Sequence, residues 1–411
     1  MKVLLLAVFS VVISVHLALA ADNKSSITKA DLGRMLFFDV NLSKNHTESC
    51  STCHNPAYGF VDDRETKVGK MVSLGDDGKS LGDRNAPTAS YARFSPIFHQ
   101  NKAGDYIGGQ FLDGREKDLA GQAGGPPLNP IEMGMPDKAT VVSRLKSNEF
   151  YLKAFQQLFG QDIFEQTDKA YAAMAESIGE FEKTDFFSPF DSKYDRYLRG
   201  EVELTDQESL GESLFFSQQF TNCNRCHQLR AFPGSSKETF SNYEYHNLGV
   251  PVNKFLREAN GKGDRFIDHG LLDNPQVDNS KQDGKFKVST LRNIAVTGPY
   301  MHNGIFKDLR TVVLFYDKFN NSSRKINPET GKPWQAPEVN KNLALEEKEF
   351  HASALKDSEV DALVAFMRTL TDKRYEHLLS ELESNDAEQV KSTHGILSEV
   401  ERIIKEMESV K

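Results

Sequence analysis

Two short stretches carry the residues best suited to chemistry: Cys50-Ser51-Thr52-Cys53-His54 and Cys223-Asn224-Arg225-Cys226-His227. A Cys-x-x-Cys-His run offers two thiols for thioether bonds to porphyrin vinyl groups and a histidine nitrogen for an axial position on iron. Each run therefore reads as an attachment site for covalent c-type haem. The chain has four cysteines, and all of them lie in these two runs. A redox dithiol, a disulfide or a four-thiolate zinc site would draw on the same cysteines, but the zinc arrangement leaves both histidines without a role. Two haem c groups are the expected cofactors.

The elements that must position these runs are themselves repeated. Ile27 to Phe38 has apolar residues at helical spacing and ends in Gly33-Arg34-Met35-Leu36-Phe37-Phe38; Gly211-Glu212-Ser213-Leu214-Phe215-Phe216 precedes the second run in the same way. Arg84-Asn85 answers Arg292-Asn293, and Gly114 to Leu119 answers Gly304 to Leu309, so the order of features points to internal duplication. Amphipathic periodicity predicts helices over Val141 to Phe159, Asp168 to Phe181 and Asp357 to Leu370, and Thr205 has the look of a helix N-cap. Gly59 to Pro136 and Ala231 to Asn303 are rich in Gly, Pro, Asn and Asp, as segments that wrap a ligand often are. No strong strand pattern is present. The expected fold is mainly α, two cytochrome c-like haem domains with long irregular loops. The expected organisation is a signal peptide over 1–20, an N-terminal haem domain over 21–190, a C-terminal haem domain over 200–372 and a charged helical extension over 373–411.

Composition sets outer bounds. The 411 residues are 38% hydrophobic, enough for packed cores. A net charge of −9 argues against a nucleic-acid partner, because a phosphate backbone is held by clustered cations. Lys2, the apolar run Val3 to Leu19 and the small-x-small site Ala18-Leu19-Ala20 read as a cleaved secretory signal and hence a periplasmic protein; an uncleaved membrane anchor is the alternative. In the extension, Leu378, Leu382, Ile396, Val400, Ile403 and Met407 fall at helical intervals, suited to packing on the body or to a partner or homo-oligomer contact.

Beyond the two haem runs, the chain carries Arg84-Asn85-Ala86-Pro87-Thr88, Asp113-Gly114-Arg115, Asn129-Pro130-Ile131-Glu132-Met133 and Thr297-Gly298-Pro299-Tyr300-Met301-His302-Asn303-Gly304. With these motifs, from about Leu32 to Leu370, it resembles the bacterial di-haem cytochrome c peroxidase family, including its methylamine-utilisation branch, MauG. The resemblance implies that the haem held by His54 meets peroxide in a pocket containing Gln122, Pro126 and Glu132. Glu132 also has a physical case: cleaving an O–O bond needs a base that takes a proton and returns it to the departing oxygen. Some family members block this haem with a histidine, whereas the matching segment here, Val68-Gly69-Lys70-Met71, has none; Met71 is the one residue in it that could cap iron.

For the haem held by His227, the resemblance implies Tyr316 as the second axial ligand, with Met301 as the competitor. It further implies a calcium ion between the haems, held by Asn85 with carbonyls near Thr297 and Pro299. One position departs from the family: Leu112 stands where it places a tryptophan between the haems, and the sole tryptophan, Trp334, lies elsewhere. The implied activity is peroxide reduction at the His54 haem, with electrons relayed by the other haem from a small cytochrome c or cupredoxin. The alternatives are a MauG-like oxidase acting on side chains of a partner protein, and a non-catalytic electron carrier.

Overall fold

Thr28 starts the first helix. Its side chain accepts from the Asp31 N–H (3.1 Å) and the Asp31 carboxylate accepts from the Thr28 N–H (3.0 Å), a reciprocal cap that satisfies two otherwise unpaired donors. The computed structural model describes residues 27–384. The expected signal peptide 1–20 and the extension from residue 385 onward lie outside the described residues.

In chain order the helices are α1 (Lys29–Phe37), α2 (Cys50–Cys53), α3 (Leu119–Ala123), α4 (Lys138–Ser147), α5 (Glu149–Phe159), α6 (Thr167–Glu182), α7 (Lys193–Leu198), α8 (Asp206–Phe215), α9 (Lys254–Ala259), α10 (Leu309–Asp317), α11 (Asp357–Arg368) and α12 (Glu376–Ser384). The mainly α expectation holds. The strands described are short; they include ladders of two residues a side, such as Tyr245–His246 against Phe286–Lys287. Thr205 caps α8 as expected, paired with Glu208. The helix expected over Val141 to Phe159 is two helices, because the Asn148 side chain accepts from the N–H groups of Phe150 and Tyr151 and so begins a new one. Among the described residues no helix is long and apolar enough to cross a membrane.

The repeated sequence motif is a repeated helix crossing. A methyl group added to Gly33 of α1 would sit 1.8 Å from the Ser177 carbonyl oxygen of α6, and one added to Gly211 of α8 would sit 1.9 Å from that of Ala362 in α11. Only glycine lets the backbones approach this closely. Beside each crossing two phenylalanines meet edge to face, Phe37 with Phe181 at 5.6 Å and, at a more tilted angle, Phe215 with Phe366 at 5.2 Å.

One apolar core draws on residues from Leu32 to Phe187, and two others on residues from Tyr194 to Leu370 and from Val250 to Met367. The two halves interlock through smaller contacts. Val68, Val72 and Leu81 pack on Leu256, and Arg84 forms ion pairs with Asp113 and with Asp268 of the other half, each at 2.6 Å. The beginning of the expected extension docks on the body: Tyr375 is fully buried and its hydroxyl donates to the Pro56 carbonyl (2.8 Å).

Candidate functional site: two histidine pockets and an inter-half cavity

Each Cys-x-x-Cys run forms one tight turn, closed by His54 N–H on the Cys50 carbonyl and by His227 N–H on the Cys223 carbonyl, both 2.9 Å. In the second run both cysteines and the histidine line one cavity. His54 Nδ1 lies 3.2 Å from the Phe60 carbonyl, and His227 Nδ1 lies 3.0 Å from that of Phe240. A carbonyl only accepts, so Nδ1 carries the proton and Nε2 presents a lone pair. Burial disfavours the imidazolium at both, taking His227 down to about 4, which keeps the rings neutral and able to ligate. Burial also pushes the Cys50 thiol up to about 12 and the Cys223 thiol up to about 11, which disfavours the thiolates a zinc site needs. Buried thiols beside an oriented neutral histidine fit a thioether-linked haem. Bound there, haem would be held by Cys50, Cys53 and His54 in one half and by Cys223, Cys226 and His227 in the other.

A cavity of about 310 Å³ opens over the second run, lined by Cys223, Cys226 and His227 and also by Tyr316 and Met301. Tyr316 stands on α10, which Asp308 caps through the Arg310 N–H. Burial among the cysteines drives the phenol further from ionising, so a phenolate there requires a cation as its partner. Met301 shares the apolar cluster of Ala295 and Phe306.

The first half begins the same way and then departs. Asp118 caps α3 as Asp308 caps α10, and each is followed by leucine. Eight residues past the cap, the second half has Tyr316 and the first has Pro126. Tyr316 can bind a metal; proline has no side-chain donor. The helix of the first half breaks at Gly124 and Gly125, after Gln122, and enters a short 3₁₀ turn at Pro126–Leu128. The chain then doubles back, with Met133 N–H on the Pro126 carbonyl (3.3 Å) and Gly134 N–H on that of Asn129 (2.9 Å). Gln122, Pro126 and Glu132 thus belong to one compact loop.

That loop reaches the first run through the segment around Gly75. Arg64 Nη2 lies 3.4 Å from Cys53 Sγ and donates to the Leu74 carbonyl (2.9 Å), and two residues on, Asp76 N–H donates to the Glu132 carbonyl (2.8 Å). The Glu132 carboxyl is held above the ordinary carboxylate range by burial, against the opposing pull of Arg115 and Asn129.

Other expected positions fall as follows. Met71 faces the other half: its sulfur accepts from Asn253 Nδ2 (3.2 Å) and it packs with Val68 and Leu256. Asn85, Thr297 and Pro299 line the second cavity together, and Asn85 Nδ2 donates to the Met71 carbonyl (3.0 Å), leaving Oδ1 for another partner. Among the described residues no cluster of three or more His, Cys, Asp or Glu is placed to hold a metal. Leu112 is buried and also lines the second cavity, while Trp334 packs on Phe306 and Phe315 within the second half. Phe60 and Phe240 were not legible as functional. Both are fully buried, both sit at positive φ (58° and 55°), and both supply the carbonyl that orients a histidine. They follow their histidines by 6 and 13 residues, so a search for matched spacing passes over them.

Comparison with known proteins agrees with this geometry. Residues 27–203 match the family model described as di-haem cytochrome c peroxidase. The methylamine utilization protein MauG of Paracoccus denitrificans is 52% identical over 354 residues, covering 86% of this chain and 90% of the relative. The cytochrome c551 peroxidase of Nitrosomonas europaea is 31% identical, covering 67% and 68%. Among solved structures, the diheme peroxidase BthA from Burkholderia thailandensis is similar with a TM-score of 0.74 and 30% identity, over 84% of this chain and 86% of that one. A repeated crossing, two oriented histidines and a 52% identical relative together make this chain a member of the di-haem cytochrome c peroxidase and MauG family, a haem-dependent oxidoreductase.

Proposed function

We propose that this chain is an exported MauG-type oxidase that uses hydrogen peroxide to oxidise side chains of a partner protein. The observation that carries the reading is the pairing of Tyr316 with His227 across one cavity, where the first half has Pro126 at the matching position. The 52% identity to MauG puts partner oxidation ahead of peroxide removal, which the motifs alone favour. The working units are the haem domains over 21–190 and 200–372, delivered to the periplasm by residues 1–20.

Haem at the two sites would supply iron that accepts oxidising equivalents from peroxide and exchanges electrons with protein groups. The residues of the chain do the rest. Pro126 keeps an ionisable ligand away from the first pocket. Glu132, its carboxyl raised by burial, takes a proton from one oxygen of hydrogen peroxide and returns it to the other, which leaves as water. Gln122 orients peroxide with its amide. At the second site, His227 and Tyr316 would hold the haem, and an anionic Tyr316 would favour the more oxidised iron states and so help store oxidising equivalents.

The distinguishing experiment supplies reduced small cytochrome c and peroxide to the two-haem protein. Turnover well below the roughly 10 s⁻¹ typical of enzymes is expected. Fast peroxide-dependent oxidation of the cytochrome would overturn the reading in favour of a peroxide-removing peroxidase.

A calcium ion belongs to the same proposal, with Asn85 Oδ1 and the carbonyls of Thr297 and Pro299 as hard oxygen donors suited to it. Because these groups come from both halves, the ion would tie the haem sites together. Metal analysis after dialysis should find one calcium per chain, and chelation should alter the EPR signals of the haems. Calcium-free protein with unchanged spectra would remove the ion from the account.

A further inference from the structure

The repeated crossing gives a residue-by-residue correspondence between the halves. Gly33 meets the carbonyl of Ser177 and Gly211 meets that of Ala362, so these two residues occupy equivalent places. Four residues on, Phe181 packs on Phe37 and Phe366 on Phe215, with ring centres 5.6 and 5.2 Å apart. The next residue is Met367 in the second half, where it lines the haem cavity with Cys223 and Tyr316. In the first half it is Glu182. The correspondence therefore aims a carboxyl at the first haem site, where the second has a thioether.

A separate observation agrees. Glu182 acts electrostatically on Cys50, raising its thiol, so the carboxyl lies close to a haem-attaching residue. Glu182 is 4% exposed, and its Oε2 has no hydrogen-bond partner. It does not bond His54, whose Nδ1 is taken by Phe60. Charged groups on the elements around it have partners of their own. On α1, Lys29 pairs with Glu176 (2.5 Å) and Asp31 serves the Thr28 cap. Asp118 of α3 caps its own helix. Lys183, next in sequence, pairs with Glu180 (2.6 Å). Burial alone governs the carboxyl and pushes it up to about 8, so it holds a proton at neutral pH. A buried acid with one oxygen unpaired thus stands beside a haem-linking cysteine.

We propose that Glu182 is a redox-linked proton carrier for the first haem. At alkaline pH, where Glu182 is a carboxylate beside ferric iron, one electron from an external reductant converts the iron to ferrous and one proton from solvent forms an O–H bond on that carboxylate; reoxidation releases the proton. The cause is electrostatic, since an added electron makes a neighbouring buried carboxylate costlier and its acid form preferred. The inference rests on haem attachment at Cys50 and Cys53 and not on which haem meets peroxide.

The test is a potentiometric titration of the full-length two-haem protein, following the first haem by absorption and EPR over roughly pH 6 to 10. Where Glu182 is ionised in the ferric form, the potential should fall with rising pH by about 59 mV per unit, a tenfold change in proton concentration converted for one electron. In Glu182→Gln, and in Glu182→Met, which installs the residue of the second half, the potential should be flat over that window. A redox-difference infrared band from a protonated carboxyl should be present in the unmodified protein and absent from both variants. Glu132→Gln should keep the slope, so failure of the peroxide mechanism leaves this test unaffected. A slope that survives in both Glu182 variants, or its absence from the unmodified protein, overturns the proposal.

Discussion

Replacing Glu132 with glutamine is expected to slow peroxide cleavage by about 10²- to 10⁴-fold, the usual contribution of a positioned acid-base group, while haem content and the ferric spectra stay unchanged. Glutamine keeps the size of the side chain and its contact with Asn129 but can neither take nor return a proton. The pH dependence follows from the direction of the shift. Taking a proton from peroxide requires the carboxylate, and burial holds the Glu132 acid above the ordinary range, so activity should fall on the acid side at a higher pH than for an exposed glutamate. That acid limb should vanish from the residual rate of the variant. Stopped-flow measurement of peroxide reaction across pH checks both points; an unchanged rate in Glu132→Gln would falsify the proton-transfer role.

Replacing Tyr316 with methionine is expected to raise the reduction potential of the second haem by on the order of 0.3 V, a large part of the roughly 0.8 V that axial ligands span. A thioether is neutral and favours ferrous iron, whereas a phenolate favours ferric and higher states. Peroxide should still react at the first site, but oxidation of a partner protein should be lost while oxidation of small cytochrome c is gained. Tyr316→Phe should convert the low-spin ferric EPR signal of that haem to high-spin and leave the other haem alone. If the signal persists in Tyr316→Phe and disappears in Met301→Leu, the ligand is Met301; both side chains line the cavity.

Much of the architecture was legible because it depends on local pattern. Cys-x-x-Cys-His is a contiguous motif, and the Gly-x-x-Leu-Phe-Phe repeat recurs before each run, so duplication could be read along the chain, while the helix crossing at each glycine could not. The cap at Thr205 and the mainly α character were readable for the same reason. The split at Asn148 was not, because apolar periodicity continues across it while a single amide side chain restarts the helix.

The sequence by itself determined the two Cys-x-x-Cys-His runs, the use of two haems and the family to which the chain belongs. Only the tertiary structure decided what surrounds them. Met71 faces Asn253 because the halves interlock there, and Leu112, distant from the second run in the chain, forms part of that run's cavity. The carbonyls of Phe60 and Phe240 orient the histidines through backbone conformations that no side-chain pattern encodes. The equivalence of Glu182 with Met367 emerges only when the helix crossings set the register. The physical reason is common to all four: orientation, burial and electric field depend on groups far apart in sequence, while covalent attachment needs only residues that are adjacent.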